Sequence, residues 1–184
     1  MYGLINKAVE GLARSRFGAE TWHRIRVRAG LKDEPFVSME QYGDDVTYSL
    51  VAAASAELGV PAEAILEELG LYWVRYTAEG GYGDLLKTAG RTLPEFLLNL
   101  DQMHTRVQLS FPNLRPPSFA VRNATADSLE LHYHSERAGL APLVVGLLKG
   151  LGERFGLVLE ITVRRVEGAH SYDAFDVRWR EVAA

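Results

Sequence analysis

The stretch LELHYHSER, residues 129–137, decides how the second half of the chain folds. Its leucines and Tyr133 alternate with charged and imidazole side chains, and this alternation predicts a strand with one buried face. The same face continues into Ser135 and Arg137. A phenol, a hydroxyl and a guanidinium in line suit an anion, because arginine binds a carboxylate through two hydrogen bonds. A strand end that runs out into solvent explains the same residues, and the pattern by itself favours that simpler interpretation.

The opposite face of this strand carries His132 and His134. Two histidines at this spacing bind metal ions in some proteins, with Glu130 or Glu136 as a third ligand here. The sequence identifies no distant further ligand, so a solvated outer face is the favoured interpretation. A metal-dependent enzyme built on the histidine pair stays open as an alternative function.

The segments around this strand predict an α+β fold. Alternation begins at Phe119 and Val121, and it returns near the C-terminus in LVLEITVRRVE and YDAFDVRWR. A helical segment, GLAPLVVGLLKGLGERFG, separates the first two strands from the last two. The order β-β-α-β-β predicts a four-stranded antiparallel sheet with helices packed on one face.

The first ninety residues are typical of short helices separated by glycine. DDVTYSLVAAASAELG begins with acids and ends at Gly59, and VPAEAILEELG is expected to end at Gly70. We therefore expect one domain over residues 1–184. Its helical N-terminal lobe would cover about residues 1–65, and its C-terminal α/β lobe about residues 66–184.

The clearest predicted helix begins at Thr92, where the spacing T-x-x-E to Glu95 is typical of an N-terminal cap. The apolar positions of its buried face are Phe96, Leu100, Met103 and Val107. His104 lies on or next to this face. A lone histidine there is most often a partly buried core residue, yet its ring still needs a carbonyl, a water or a metal as partner. One histidine ligand, an apolar pocket and a carboxylate-binding face together describe haem, which the pattern alone does not single out.

The composition limits the classes of function. The chain is 47% hydrophobic, with a net charge of -4 and a sequence pI near 5.8. These values argue against a general nucleic-acid binder, which carries a basic face. No window approaches the roughly 18 apolar residues of a membrane span. The sequence has no cysteine, which excludes disulfides and thiolate chemistry and fits a cytoplasmic location.

A combination of motifs resembles one known family. Tyr133, Ser135 and Arg137 form a Y-x-S-x-R motif, His104 precedes the tyrosine by 29 positions, and Pro117 lies between them. The segments MYGLINKA, DDVTYSLV, YWVRYT and LSFPNLRPPSF add to the likeness. Together they resemble the H-NOX family, the haem nitric oxide/oxygen-binding domains related to the haem domain of soluble guanylate cyclase. The likeness covers essentially the whole chain and is strongest to the stand-alone bacterial and cyanobacterial members.

The resemblance implies a cofactor and roles for particular residues. The cofactor would be haem b, with His104 as the axial ligand of the iron. Tyr133, Ser135 and Arg137 would bind the haem propionates. Two further residues, Pro117 and Ile5, would pack on the porphyrin and help to distort it. The implied fold has a helical N-terminal lobe and a C-terminal lobe with a four-stranded antiparallel sheet, in agreement with the pattern.

The resemblance also implies which gases bind. Members of the family that bind oxygen stably carry a distal tyrosine in the helix after the Y-x-S-x-R motif, and distal hydrogen-bond donors decide such binding. Here Pro142 and Leu143 occupy that region, and Trp73 is a further distal residue. We therefore expect ferrous haem that binds NO and CO and discriminates against oxygen.

The expected role is that of a sensor rather than an enzyme. Release of His104 from the iron would pass the signal to a partner protein, such as a histidine kinase or a cyclic-di-GMP enzyme. A carrier of amphiphilic anions would use the face of Tyr133, Ser135 and Arg137 without iron, and it stays open as a further alternative.

Overall fold

The computed structural model describes residues 1–168 and 170–182. The predicted domain range 1–184 also includes positions 169, 183 and 184, which lie outside the described residues. The helices are α1 (Gly3–Arg28), α2 (Asp44–Leu58), α3 (Ala62–Thr77), α4 (Gly83–Ala89), α5 (Leu93–Leu98), α6 (Leu100–Ser110) and α7 (Ala141–Phe155). A π-helical turn, Ala78–Tyr82, joins α3 to α4. The strands are β1 (Ser118–Arg122), β2 (Ser128–His134), β3 (Leu157–Val166) and β4 (Tyr172–Glu181).

The four strands form one antiparallel sheet in the order β1-β2-β4-β3. Leu131 of β2 stands between Val121 of β1 and Phe175 of β4, and this row faces the helices. Apolar residues at every second position of each strand therefore bury one face of the sheet. The predicted α+β class, the sequence β-β-α-β-β and the antiparallel pairing are confirmed.

The core consists of two clusters of buried side chains. The larger cluster lies between the sheet, α5 and α7 and includes Leu131, Leu148 and Phe175. The smaller cluster lies among α1, α2 and α3 and includes Trp22 and Leu50. The expected lobe boundary near residue 65 falls inside the continuous helix α3, which contributes side chains to both clusters. The division into two lobes stays a prediction.

Helix α3 runs past the glycine at which it was expected to end. It continues through Gly70 to Thr77. Gly70 does not end the helix; it allows α3 to pack closely against α7. A β-carbon at Gly70 would overlap the backbone of Leu143 in α7, and one at Gly146 of α7 would overlap the backbone of Glu67 in α3. The two helices therefore meet backbone to backbone, which only glycine permits.

The predicted helix from Thr92 to Val107 is interrupted at Asn99. The cap is confirmed: the Thr92 hydroxyl accepts a hydrogen bond from the backbone N–H of Glu95 at 3.3 Å. The backbone then turns at Asn99 (φ -95°, ψ 2°), and the Asn99 side chain donates to the carbonyl oxygen of Ala89 at 2.8 Å. The interruption separates α5, which is buried in the core, from α6, which carries His104.

Within the described part of the chain, no single helix is long and apolar enough to cross a membrane. The pair Asp44–Leu58 and Ala62–Ala89, bent by 113°, meets that requirement together by length and composition only.

Candidate functional site

His104 projects from α6 toward the start of β1. Its ring lies 5.9 Å from the Phe119 ring, and the backbone of Pro117 is close to it. Its Nδ1 atom is buried and has no hydrogen-bond partner among the described residues. Burial lowers the pKa of His104 below its usual 6.5, while the Asp101 carboxylate and the Pro117 backbone oppose that shift. The imidazole is therefore biased toward the neutral form, which is the form that binds metals.

Asp101 attaches the histidine-bearing helix to the sheet. Its carboxylate accepts a hydrogen bond from the backbone N–H of Phe119 at 2.8 Å and another from the Ser118 hydroxyl at 3.4 Å. Asp101 stands three positions before His104 and thus lies beside it on α6. This residue was missed by the sequence analysis, because its partners are backbone and side-chain groups of a different element.

A row of aromatic rings leads from His104 to the predicted anion-binding residues. Phe119 lies 5.3 Å from Tyr133, and Tyr133 lies 6.4 Å from Phe175, with ring centroids as reference points. The Tyr133 side chain is buried at the end of β2. Burial raises the pKa of its phenol, and the nearby Ser135 hydroxyl partly offsets that shift. Tyr133 therefore stays a neutral hydrogen-bond donor near pH 7.

Ser135 and Arg137 follow Tyr133 just beyond the end of the strand, which the structure places at His134. The Ser135 hydroxyl accepts a hydrogen bond from the backbone N–H of Arg137 at 3.0 Å, and this contact turns the chain. The Arg137 guanidinium donates to the Asp44 carboxylate at 2.7 Å and to the carbonyl oxygen of Arg115 at 2.8 Å. The structure therefore brings the three predicted residues together and adds a carboxylate beside them.

Asp44 is the second residue of this site that the sequence analysis missed. It begins α2, where acids were explained by the helix N-terminus alone, but its carboxylate also contacts Arg137, 93 positions away. The Met1 amino group lies 2.5 Å from the same carboxylate. One turn along α2, the Tyr48 hydroxyl donates to the carbonyl oxygen of Ala138 at 2.9 Å. These contacts join α2 to the segment that follows β2.

Replacing Asp44 with asparagine should lower stability at neutral pH but not in acid. Burial raises the pKa of Asp44, but hydrogen bonds from the Met1 amino group and Arg137 lower it more, to below the usual 3.8. A carboxylate with a depressed folded-state pKa stabilises the protein above its unfolded-state pKa, and this contribution disappears as the pH falls through the folded-state value. The loss at pH 7 should be about 0.5–1 kcal/mol, because solvent screens a side chain that is 38% exposed.

The measurement is urea unfolding of both proteins at pH 7 and near pH 3. Asp84→Asn is the control, because that carboxylate pairs with Lys87 but its side chain is 95% exposed. It should leave stability unchanged at either pH. Equal stability of wild type and Asp44→Asn at pH 7 would show that the ion pair contributes nothing.

The predicted distal residues lie on two helices, α3 and α7, and Ile5, which was predicted to pack on the porphyrin, lies on α1. Ile5 of α1 and Trp73 of α3 are half-buried against the smaller cluster, and Leu143 of α7 packs against both clusters. Pro142 is half-buried in the first turn of α7. Their roles toward a cofactor remain predictions.

Two tyrosines, Tyr72 and Tyr76, lie near Trp73 on α3 and were not among the predicted site residues. The rings of Tyr72 and Tyr76 are stacked 5.7 Å apart. The Tyr72 hydroxyl lies against Gly11 of α1, so this pair belongs to the contact between α1 and α3.

The outer face of the sheet does not support a metal-dependent enzyme. His132 contacts Glu130, and both His132 and His134 lie against the Tyr172 ring, 4.4 Å and 4.9 Å away. In the described ranges, His, Asp and Glu side chains form no group of three or more that could hold a metal ion. The pair thus lacks the third ligand that the alternative needs.

The residues around His104 and Arg137 fit a planar metal cofactor with an acidic edge. An imidazole with an unpartnered buried nitrogen is available for a metal, and apolar and aromatic side chains extend from it to Tyr133. Beyond Tyr133 lie the Ser135 hydroxyl and the Arg137 guanidinium, which also pairs with Asp44, and both groups can bind carboxylates. Such an arrangement defines a cofactor-binding domain.

Residues 2–163 match the Haem-NO-binding family, and the chain therefore belongs to that family of H-NOX domains. Soluble guanylate cyclase gcy-33 of Caenorhabditis elegans is 31% identical over 155 residues, which are 84% of this chain and 16% of that protein. Soluble guanylate cyclase gcy-35 of the same organism is 30% identical over 176 residues, which are 91% of this chain and 25% of that protein. The chain thus spans a quarter or less of the length of these curated relatives.

Solved structures of H-NOX proteins share the fold. An H-NOX protein from S. oneidensis in the Fe(II)NO ligation state matches with a TM-score of 0.87 at 19% identity, over 98% of this chain and 100% of that one. The Fe(II) unliganded H-NOX protein from K. algicida matches with a TM-score of 0.86 at 24% identity, over 100% of this chain and 99% of that one. At these identities the likeness supports the fold and not the details of the site.

Proposed function

We propose that this H-NOX domain is a haem-based gas sensor that binds NO and CO at ferrous haem b and discriminates against oxygen. The observation that carries the proposal is the buried, unpartnered Nδ1 of His104, at the start of an aromatic row that ends at Tyr133 and Arg137. A core histidine would be hydrogen-bonded. A buried ring nitrogen without a side-chain or backbone partner is suited to a metal ligand, and the Pro117 backbone beside the ring would help to orient it.

Different side chains would bind the iron and the propionates of haem. His104 holds the iron, and Tyr133, Ser135 and Arg137 hold the propionates. The half-buried Pro117 lies between α6 and β1, next to His104, where it would press on the porphyrin, and Ile5 does so from α1. Haem, when bound, supplies the open iron coordination position at which a diatomic gas binds.

Selectivity would rest on the predicted distal residues Pro142, Leu143 and Trp73. Helix α7 (Ala141–Phe155) contains no tyrosine, and Pro142 and Leu143 open it with apolar groups. Without a phenol on this helix, α7 would offer oxygen no hydrogen bond, and oxygen depends on such a donor far more than NO and CO do. Trp73 adds a bulky ring from α3. The hydroxyl of the neighbouring Tyr72 lies against Gly11 of α1, and the Tyr76 ring stacks on that of Tyr72.

Signalling would begin with the release of His104 on NO binding. The hydrogen bonds of Asp101 hold α6 to β1, and the contacts of Asp44 and Tyr48 hold α2 to the segment after β2. Movement of α6 would act on β1 through Asp101, and a two-state element would require that these contacts, or those of Asp44 and Tyr48, differ between the two states. We propose a cytoplasmic role in which the signal passes to a partner, such as a histidine kinase or a cyclic-di-GMP enzyme, with no catalysis by this domain itself.

The absorption spectrum of the purified ferrous protein tests the proposal. Expression with adequate haem should give a Soret band that shifts on addition of NO and of CO, and the reduced protein should form no stable oxygen complex in air. A protein without a Soret band would refute the haem sensor and leave the carrier of amphiphilic anions, and a lasting oxygen complex would refute the selectivity. If oxygen binds, Tyr72→Phe and Tyr76→Phe identify whether a phenol of α3 is responsible.

A further inference from the structure

A cavity of about 430 Å³ lies beyond the end of β2, next to the predicted propionate ligands. Ser135 and Arg137 line it, and Arg165 and Asp173 line it from the neighbouring strands. Residues of the turn between β2 and α7 complete the wall. Arg165 stands on β3, four positions after Ile161 on the same side of the strand, and so belongs to the face of the sheet that meets the helices.

Asp173 places a negative charge where an anionic cofactor edge is expected. It is the cross-strand neighbour of Tyr133 on one side and of Arg165 on the other. Its side chain is only 19% exposed, and its carboxylate raises the pKa of the Tyr133 phenol. An uncompensated carboxylate in this position would repel other carboxylates at close range.

Arg165 compensates this charge. Its guanidinium lies 3.3 Å from the Asp173 carboxylate and 3.5 Å from the exposed Glu167 carboxylate, and its side chain remains 51% exposed. The charged side chains that line the cavity are Glu136, Arg137, Arg165 and Asp173, two of each sign. Arg137 is already shared with Asp44 at 2.7 Å, so it cannot by itself neutralise two propionates and the Asp173 carboxylate. Arg165 is the further cation of that wall.

We propose that Arg165 is a positioning residue for the cofactor's carboxylate edge: it neutralises Asp173 and supplies a second guanidinium, besides Arg137, to the propionates. This inference rests on the proposed function, because it requires haem. It predicts that the charge of the cavity wall, and not merely its shape, sets how long haem stays bound.

The test measures the rate of haem loss to excess apomyoglobin for three charge states of the wall. Arg165→Gln makes the wall one unit more negative and should speed haem loss on the order of tenfold, as loss of a supporting contact commonly does. Asp173→Asn makes it one unit more positive and should slow the loss. The double variant restores the wild-type charge but lacks the guanidinium, so it should release haem more slowly than Arg165→Gln and faster than wild type. Arg165→Lys keeps the charge and should remain close to wild type.

Two controls separate this role from a general structural one. Arg164→Gln changes the adjacent arginine, which lies on the outer face and pairs with Glu130 at 2.5 Å, so it should not alter haem loss. Iron protoporphyrin dimethyl ester has no free propionates, so all variants should release it at one rate. Thermal unfolding of each apoprotein establishes that the variants fold.

The rates of haem loss can overturn the role of Arg165 separately from the sensor proposal. Equal rates of haem loss for wild type, Arg165→Gln and Asp173→Asn would overturn the inference while the sensor proposal stands. Equally fast loss of haem and of its dimethyl ester from Arg165→Gln would also overturn it, because the effect would then be structural. A wild-type protein that binds no haem would overturn both.

Discussion

Replacing His104 with glycine is expected to remove the normal ferrous haem spectrum and to speed haem loss more than 100-fold. Substitution of groups that merely support a metal ligand costs about 10–100-fold in affinity, so loss of the ligand itself should exceed that range. Glycine also leaves a ring-sized space between α6 and Phe119, whose ring is 5.9 Å from the histidine. Added imidazole should enter this space and restore a spectrum close to that of wild type.

The matched control for this experiment is His134→Gly. His134 lies on the outer face of the sheet against the Tyr172 ring, so its loss should leave haem binding unchanged. An unchanged ferrous spectrum in His104→Gly would contradict the ligand assignment. Loss of haem from His134→Gly alone would transfer the assignment to the outer face.

Gly146→Ala should destabilise the protein by about 2 kcal/mol, within the range typical of overpacked cores. The new methyl group would overlap the carbonyl oxygen of Glu67 in α3. Gly70 of α3 meets α7 in the same way, so neither backbone can yield without separating the helices. The cost outweighs the gain of up to about 1 kcal/mol that alanine brings to a helix interior. Thermal unfolding should show a fall in Tm of about 4–8 °C.

Gly80→Ala is the control for this prediction. Gly80 has a negative φ of -80°, and a β-carbon there meets no atom within 4 Å. Its substitution should change stability by no more than about 0.5 kcal/mol. Equal stability of Gly146→Ala and wild type would show that α3 and α7 adjust freely, contrary to a backbone-to-backbone contact. Because Leu143 lies at this crossing, the variant should also be examined for altered CO binding.

The elements and the inward face of β2 could be predicted from the sequence because they depend on local patterns. Alternation identified the strands, the T-x-x-E spacing identified the cap at Thr92, and Gly59 ends α2 with a left-handed φ of 66°. The same local reasoning failed at Gly70, where a glycine serves a partner helix. A glycine required for packing and a glycine that ends a helix look alike in a sequence.

The Y-x-S-x-R motif, His104 and Pro117 were likewise identified from the sequence, through their resemblance to one family, and the match of residues 2–163 confirms that family. Only the tertiary structure brought Asp44 to Arg137 across 93 positions and Asp101 to the backbone of β1. Only the strand register placed Asp173 between Tyr133 and Arg165. The physical reason is that periodicity records which side of an element is buried, whereas the pairing of charges depends on how distant elements pack against each other.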